Sequence, residues 1–537
     1  MGWAELAACV AGARARLAES AHKPREAQEA LLRGILRRHA GSAFGRRHGF
    51  ASLQTLADYQ QAVPPCGPES LAGDVDAMAR GETGLLVDEP LLAFERTGGS
   101  TGGARLVPLT QSGLVCLRLG LFAWLDDLQM NQPLAMQGTS YWSISPAERA
   151  ASATPGGVPI GLASDAAYFG AAAPAIASVL AVPPAVALLE GMDDWRMVTL
   201  QCLLANPRLA LVSVWSPTFW LELCRHAVAR RDELAQAMAA GRWAGDVPTH
   251  LLAHLGAPVR NPQRARLVLQ ALSGATPDWA AIWPGLALVS CWTHASAAPW
   301  GAELARQFPD VRVQGKGLLA TEGLISIPLS DGGDPVAAVT STVLEFEADD
   351  GRVYACDEVQ LGGEYGVLMT TSAGLYRYRL GDRVRVTGWW HATPRLLLLG
   401  RGAGGSDLCG EKLTEAFVMQ CWVALGVPGG ARLVPHAAPA PHYRLLVDAA
   451  GHGHEDAARL AVLVDRALRA NPQYAYARDL GQLGPLLACR VPQLASHMQA
   501  VSLAQGQRLG DAKPSVLGRL GEQAPVPDGV QAAGEGS

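Results

Sequence analysis

The chain is short of several things that would place it at once. None of its ten cysteines stands in a CxxC pair, which argues against zinc ribbons and a disulfide framework and fits reduced thiols. Neither sign of charge dominates: 44 lysines and arginines against 49 acidic residues leave a formal net charge of -5. No global field therefore draws the protein to nucleic acid or to an anionic membrane. The short basic clusters, Arg46 with Arg47 and Arg230 with Arg231, lack interleaved aromatics and read as solvated faces. Glu5 and Arg14 interrupt the first apolar run and no basic segment precedes it, so the N-terminus reads as an amphipathic helix and not a signal peptide. MGWAEL lacks the hydroxyl residue that myristoylation needs. A long uncharged run does occur, FGAAAPAIASVLAVPPAVALL at 169–189, but Pro174, Pro183 and Pro184 break it and much of it is alanine. It reads as buried core and not a membrane span. A cytoplasmic protein without nucleic-acid or membrane partners is expected.

What is present is a large globular composition, 537 residues with 49% apolar and 17% charged. At about one domain per 150 residues, several units are expected, some fused into one large domain. The first eighty residues read as helices, with an apolar stripe at Leu31, Leu32, Ile35 and Leu36. From about Leu85 strands alternate with helical runs at 217–234 and 262–272, indicating an α/β domain with mixed sheets. STVLEFEADDGRVYACD predicts a hairpin turning at Asp350-Gly351. A Gly-rich run, Gly402 to Ser406, precedes a compact α+β unit, in which Leu413, Phe417 and Cys421 are expected to share one helix face. The expected division is a large domain at 1–400, a hinge at 401–406, a small domain at 407–521 and a disordered Pro/Gly-rich tail at 522–537.

FERTGGSTGGARLVPLT, at 94–110, carries the first chemical signal. Glycines leave backbone amides open to an anion and Ser100 and Thr101 add hydroxyls. It is not a P-loop, because Ala104 stands where the lysine belongs and Arg105 where the metal-binding hydroxyl belongs. Pro108 marks an extended segment, and a helix follows with Thr110 or Ser112 as cap and Leu114, Leu117, Leu121, Trp124, Leu125 and Leu128 on one face. The segment reads as strand, loop, strand, helix; by itself it is either a phosphate cradle or a surface hairpin.

Three further segments matter with it. In QGKGLLATEGLISIPL a hydroxyl beside a carboxylate, Thr321-Glu322, suits a phosphate oxygen and its Mg2+, or a plain surface turn. In YRYRLGDRVRVTG an acidic residue after a tight turn, Asp382, suits the two hydroxyls of a ribose, or a salt bridge to Arg377, Arg379, Arg383 or Arg385. In RLGDAKPSVL, Lys513 sits in a Gly/Pro-framed loop. His452 and His454 in GHGHED read as a solvated turn and not a metal site.

The order and spacing of these segments resemble the adenylate-forming superfamily. Within it, TGGSTGGARLVPLT, SVWSPTFWLELC, SCWTHASAA, GKGLLATEGLISIPL, EYGVLMTTSAGLYRYRLGDRV and SDLCGEKLTEAFV resemble the auxin-responsive acyl acid amido synthetase (Gretchen Hagen) family, from about residue 30 to about 517. That resemblance implies a large N-terminal adenylate-forming domain and a smaller mobile C-terminal one. It implies ATP and Mg2+ as cofactors, a small carboxylic acid and an amino acid as substrates, and an acyl-adenylate intermediate. Ser100 and Thr101, with the amides of Gly99, Gly102 and Gly103 and the charge of Arg105, would hold the phosphates. Thr321 would touch the α-phosphate, Glu322 would hold Mg2+, and Asp382 with Arg401 would hold the ribose. Lys513 would reach the α-phosphate, while Glu411 and Lys412 would serve one of two domain orientations. Tyr141, Trp215, Trp292 and His294 would line the acyl pocket. Gly98 where the family has serine, Arg105 where it more often has lysine, and no arginine after Lys513-Pro514 are departures from the pattern. The alternatives are a thioester-forming acyl-CoA ligase and an ATP- or acyl-binding homologue without turnover.

Overall fold

The computed structural model describes residues 2–96, 105–142, 152–162, 165–294, 297–401, 405–406, 408, 411, 413–436, 441–479, 483–504 and 515–518. These form two compact units. One takes in Met1–Thr293, Gly301–Leu380 and Val384–Leu398; the other takes in His294–Trp300, Gly381–Arg383 and Leu399–Ser537, each over its described residues.

The first unit opens with six α-helices between Gly2 and Ala79. Helix Pro24–Arg38 starts with proline at its first turn, where a missing N–H costs nothing, and buries Leu32, Ile35 and Leu36 of the expected stripe. Its one buried amide, Gln28, donates to the carbonyls of Val339 and Thr342 and accepts from the amide of Leu344 at 2.7 Å. The helical layer is thereby stitched to a seven-stranded sheet. That sheet runs in the order Ser326–Ile327, Val336–Ala337, Thr393–Arg401, Tyr378–Trp390, Glu364–Thr370, Val343–Glu347, Val353–Ala355. The last two strands are the hairpin predicted around Asp350-Gly351, and Gly351 takes the left-handed φ of 83° that such a turn requires.

A second sheet, of four strands, is wholly parallel. Thr139–Trp142, Leu209–Ser213, Leu288–Cys291 and Arg312–Gly315 lie side by side in that order. LALVS and LVSC are buried at every position, as expected for parallel strands covered on both faces. The helical run read at 217–234 is two helices, Pro217–Ala229 and Arg231–Ala240. Residues 169–189 form only short helical turns, and no described helix is long and apolar enough to cross a membrane.

The second unit pairs strand Arg432–His436 antiparallel and Leu487–Val491 parallel to a central His442–Asp448. Helices Glu415–Leu425 and His454–Leu468 cover it. The first of these begins later than the sequence suggests. Thr414 caps it, accepting from the amide of Phe417, and Leu413 falls in a short strand, so the buried face is Val418, Cys421 and Trp422.

One interaction locks the large sheet to the helices. Arg377, 4% exposed and in left-handed backbone at φ 44°, places Nε 3.0 Å and Nη2 2.9 Å from the carboxylate of Glu345, itself 1% exposed. Its Nη1 donates to the carbonyls of Gln60 and Val63, at the end of helix Leu56–Ala62. Removing the guanidinium leaves a buried carboxylate without its counter-charge. Arg377→Met is expected to cost about 3–5 kcal/mol, whereas Arg379→Ala, which breaks the more exposed pair with Glu347, should cost at most about 1 kcal/mol. Urea unfolding of both variants reads the difference, and equal losses would contradict it.

Candidate active site

The Gly-rich segment is the connection of an antiparallel hairpin whose strands, Leu91–Arg96 and Leu106–Thr110, pair up to Arg96 opposite Leu106. Gly99, Ser100, Thr101, Gly102 and Gly103 lie outside the described residues. Directly after the hairpin, helix Gln111–Asn131 is capped by Thr110, whose Oγ1 accepts from the amide of Gly113 at 3.1 Å. The same corner holds the segment that leads into Tyr376 and Arg377. Ser112 Oγ donates to the carbonyl of Ser372 at 3.1 Å, and His39 donates to that carbonyl through Nε2 while Nδ1 accepts from the amide of Asp88. Burial lowers the His39 pKa, in keeping with this neutral tautomer.

Thr321 and Glu322 form the two-residue turn between the short strands Leu319–Ala320 and Gly323–Leu324. Thr321 is exposed and Glu322 half-buried. Arg105, which pairs with Glu69 at 3.4 Å, and Glu322 both act on the phenol of Tyr378. That phenol is pushed up to about 12 by burial first and then by the Glu322 charge, with Arg105 opposing. Three segments far apart in sequence thus share one electrostatic neighbourhood: the hairpin, the Thr-Glu turn and the Tyr-Arg-Tyr-Arg strand.

Gly381-Asp382 does not occupy a turn between strands, as the sequence suggested. It lies within one continuous strand, Tyr378–Trp390, with Gly381 at φ 84°, a local break in the pleat that only glycine adopts at no cost. Asp382 is 2% exposed. Of the four arginines around it, Arg377, Arg379 and Arg385 are committed to Glu345, Glu347 and Glu364.

In the second unit Glu411 is fully buried and accepts from the amide of Leu408 at 2.7 Å and from the hydroxyl of Tyr443. Lys412 and Lys513 lie outside the described residues, and of Arg401 only the backbone, closing strand Thr393–Arg401, is described. His294 is partly buried in this unit, its carbonyl accepting from the amide of Ala297. Nδ1 of His452 lies 3.3 Å from the Asp448 carbonyl, and among the described residues no cluster of metal-ligating side chains occurs.

The aromatic residues expected to line an acyl pocket divide between the two faces of the parallel sheet. Alternation along strand Thr139–Trp142 sends Tyr141 to one face, where its ring meets Phe219 and Trp220 in the core. Trp142 turns to the other and packs edge-on against Trp124 of helix Gln111–Asn131. Trp215 and Trp292 follow the carboxyl ends of two adjacent strands, with ring centroids 6.0 Å apart.

Between these rings stands a residue whose role sequence reasoning missed, Lys316. Its Nζ lies 5.0 Å from the Trp215 ring centroid and 5.4 Å from that of Trp124, and donates to Ser213 Oγ at 2.7 Å. Gly317 behind it, at φ 74°, approaches the Ser326 carbonyl so closely that a Cβ would sit 2.5 Å from that oxygen. The signal was there in one respect: the chain has only four lysines, Lys23, Lys316, Lys412 and Lys513. Burial pushes the Lys316 ammonium down to about 8, opposed by the nearby Cys291. Limited acetylation with acetic anhydride across pH, read peptide by peptide, should therefore give Lys316 a midpoint of about 8; a midpoint in the ordinary lysine range would show the group to be solvated.

Residues 13–313 match the GH3 family N-terminal domain and residues 338–401 the GH3 family central domain. A probable indole-3-acetic acid-amido synthetase of Oryza sativa subsp. japonica, GH3.12, is 31% identical over 180 residues, 29% of this chain and 28% of that protein. Another from the same organism, GH3.2, is 23% identical over 472 residues, 77% of this chain and 72% of that protein. The GH3 domain-containing protein of Homo sapiens is 27% identical over 338 residues, 58% of this chain and 61% of that protein. Among solved structures, the GH3.15 acyl acid amido synthetase superposes with a TM-score of 0.80 at 19% identity, covering 93% of each chain. The fold is that of an acyl acid amido synthetase, and the chain belongs to the GH3 family.

Proposed function

We propose that this protein is an ATP-dependent acyl acid amido synthetase, which activates a carboxylic acid as its acyl-adenylate and passes the acyl group to an amino-acid amine. The observation that carries it is the convergence of the hairpin, the Thr321-Glu322 turn and Tyr378, inside a chain whose N-terminal and central segments both match the family. The names of the relatives, indole-3-acetic acid-amido and jasmonoyl-amino acid synthetases, support a small acid and an amino acid as the substrate classes.

The chemistry explains why such parts are needed. A carboxylate is repelled by the triphosphate it must attack, and its own leaving group would be oxide. Amides of Gly99, Gly102 and Gly103 with the hydroxyls of Ser100 and Thr101 would cradle the phosphates, and Arg105 would offset their charge. Glu322, a single carboxylate on a turn beside the exposed hydroxyl of Thr321, is the donor set that suits Mg2+ already carrying phosphate oxygens and water. When bound, that ion neutralises phosphate charge. Thr321 would orient the α-phosphate, and Asp382 with Arg401 would fix the ribose. The acid's oxygen forms a bond to the α-phosphorus as the bond to pyrophosphate breaks, with Lys513 stabilising the charge that develops. The amine nitrogen then bonds to the acyl carbon, AMP departs and the amine loses one proton. Glu411 and Lys412, on the C-terminal side of residues 401–406, would serve the change between these two steps.

ATP/pyrophosphate exchange with Mg2+ tests the first step, run against aryl, indole and aliphatic acids, with amino acids or coenzyme A added to identify the acceptor. Acid-dependent exchange, with amide formed only on addition of an amino acid, is the expected result; thioester formation would redirect the reading to an acyl-CoA ligase. Lys513→Ala is expected to slow exchange by about 10²–10³-fold, as for loss of one donor to transition-state charge. Unimpaired exchange would exclude Lys513 from adenylation.

A further inference from the structure

The parallel sheet carries a row of hydrogen-bond donors that its own neighbours do not use up. In register, Ser213 lies opposite Ser290 and Ser290 opposite Gln314, so the three side chains stand on one face of three adjacent strands. Trp142 is in register with Ser213 and shares that face. Gln314 turns its Oε1 to the indole N–H of Trp124 at 2.9 Å, and its buried Nε2 has no partner among the described residues; Gln314 is 6% exposed. Ser290 Oγ, 0% exposed, likewise has no partner among the described residues. Lys316 continues the row and gives one N–H to Ser213. Among the described residues, no carboxylate forms an ion pair with Lys316.

Such a set has a chemical meaning. A hydroxyl, an amide N–H and an ammonium converge at the carboxyl ends of parallel strands, the edge at which open α/β sheets take their ligands. Leaving buried donors unmade costs stability, so their persistence calls for an acceptor that arrives from outside. A buried cation that no described carboxylate pairs with suits a negative ligand. Ser290 and Gln314 are buried, whereas Thr321, where activation is proposed, is exposed. The carboxylate undergoing activation has to lose its charge beside the triphosphate, which a firm ion pair to lysine would oppose. The donor row therefore suits a different group of the same molecule.

We propose that Ser290, Gln314 and Lys316 form the distal recognition site of the acyl pocket, and that the acid activated is a dicarboxylic one, held by its second carboxylate while the first reacts. Trp124, Trp215 and Trp292 then flank the carbon skeleton between the two ends. This inference rests on the adenylation reading above and adds to it the substrate class.

Two matched pairs test it: adipate against hexanoate, and 1,4-phenylenediacetate against phenylacetate, compared by kcat/KM in ATP/pyrophosphate exchange and by quenching of tryptophan fluorescence without ATP. The wild type is expected to favour the dicarboxylate in at least one pair by about tenfold, the value of one charge-assisted interaction. Lys316→Met should reverse that preference, Lys316→Arg should restore part of it, and Ser290→Ala should narrow it severalfold. The split distinguishes recognition from a structural role, since a merely unfolded variant would lose both members of a pair together. Exchange supported equally or better by the monocarboxylates in the wild type would overturn the distal site and leave adenylation standing. A dicarboxylate preference that survives in Lys316→Met would overturn the role of the lysine. Absence of exchange with every acid tested, in folded protein that binds ATP, would count against the adenylation reading and this inference together, unless the dicarboxylates alone quench the tryptophans and cease to do so in Lys316→Met, which would sustain the site without the activity.

Discussion

The buried pairing of Arg377 with Glu345 is the constraint on which the rest of the large unit depends. It ties the residue leading into strand Tyr378–Trp390 to strand Val343–Glu347 of the seven-stranded sheet and reaches back to the carbonyls of Gln60 and Val63. A desolvated guanidinium tolerates no slack, because every unmet N–H costs free energy in low dielectric. The left-handed backbone at Arg377 is held by these bonds and by its amide, which donates to Thr370 Oγ1 at 2.9 Å. The phenol of Tyr378 is thereby fixed next in the chain, and with it the electrostatic neighbourhood shared with Glu322 and Arg105. Backbone strain here serves placement, as it often does next to functional groups.

Much of this architecture was legible in the sequence where the determinants are local. The Asp350-Gly351 hairpin, a cap at Thr110 or Ser112 (found at Thr110) and the turn at Thr321-Glu322 are each set by a few consecutive residues, and each is found. The family was legible too, because ordered motifs carry it. What failed to show were properties set by distant partners. The sequence left Asp382 open between a ribose ligand and a salt-bridge partner of four nearby arginines; three of those arginines pair with glutamates on other strands of the sheet, and no spacing within YRYRLGDRVRV reveals a partner more than twenty residues away. Gly381 looked like a turn because glycine before aspartate is a turn signal; the tertiary context of a long strand overrides it.

The parallel sheet shows the same limit at a finer scale. Tyr141 and Trp142 are adjacent aromatic residues, and composition gives no ground for separating them. The pleat separates them completely: one ring joins the aromatic core with Phe219 and Trp220, the other joins Trp124 on the opposite face. Lys316 gains its significance from following Gln314, which register places level with Ser213 across two strand pairings, so that its ammonium reaches Ser213 Oγ. Among so few lysines one that is held between tryptophans is a chemical statement, since arginine, the common cation of this chain, cannot be deprotonated and is more weakly hydrated.

The exposed turn and the buried donor row face opposite physical demands. At the Thr321-Glu322 turn the groups are exposed or half-buried, so solvent can carry charge in and out as phosphate and acid change charge state. At Ser290 and Gln314 the groups are sealed, and an unmade hydrogen bond there costs about 1–3 kcal/mol. Such a cost lowers the stability of the empty protein and becomes binding free energy when an acceptor enters, since any ligand of the folded state alone shifts the folding equilibrium toward it. Buried polar groups left unmade among the described residues are therefore a form of preorganisation: the donors are oriented before a ligand arrives, with Trp124 bonded to Gln314 and Trp215 beside Lys316.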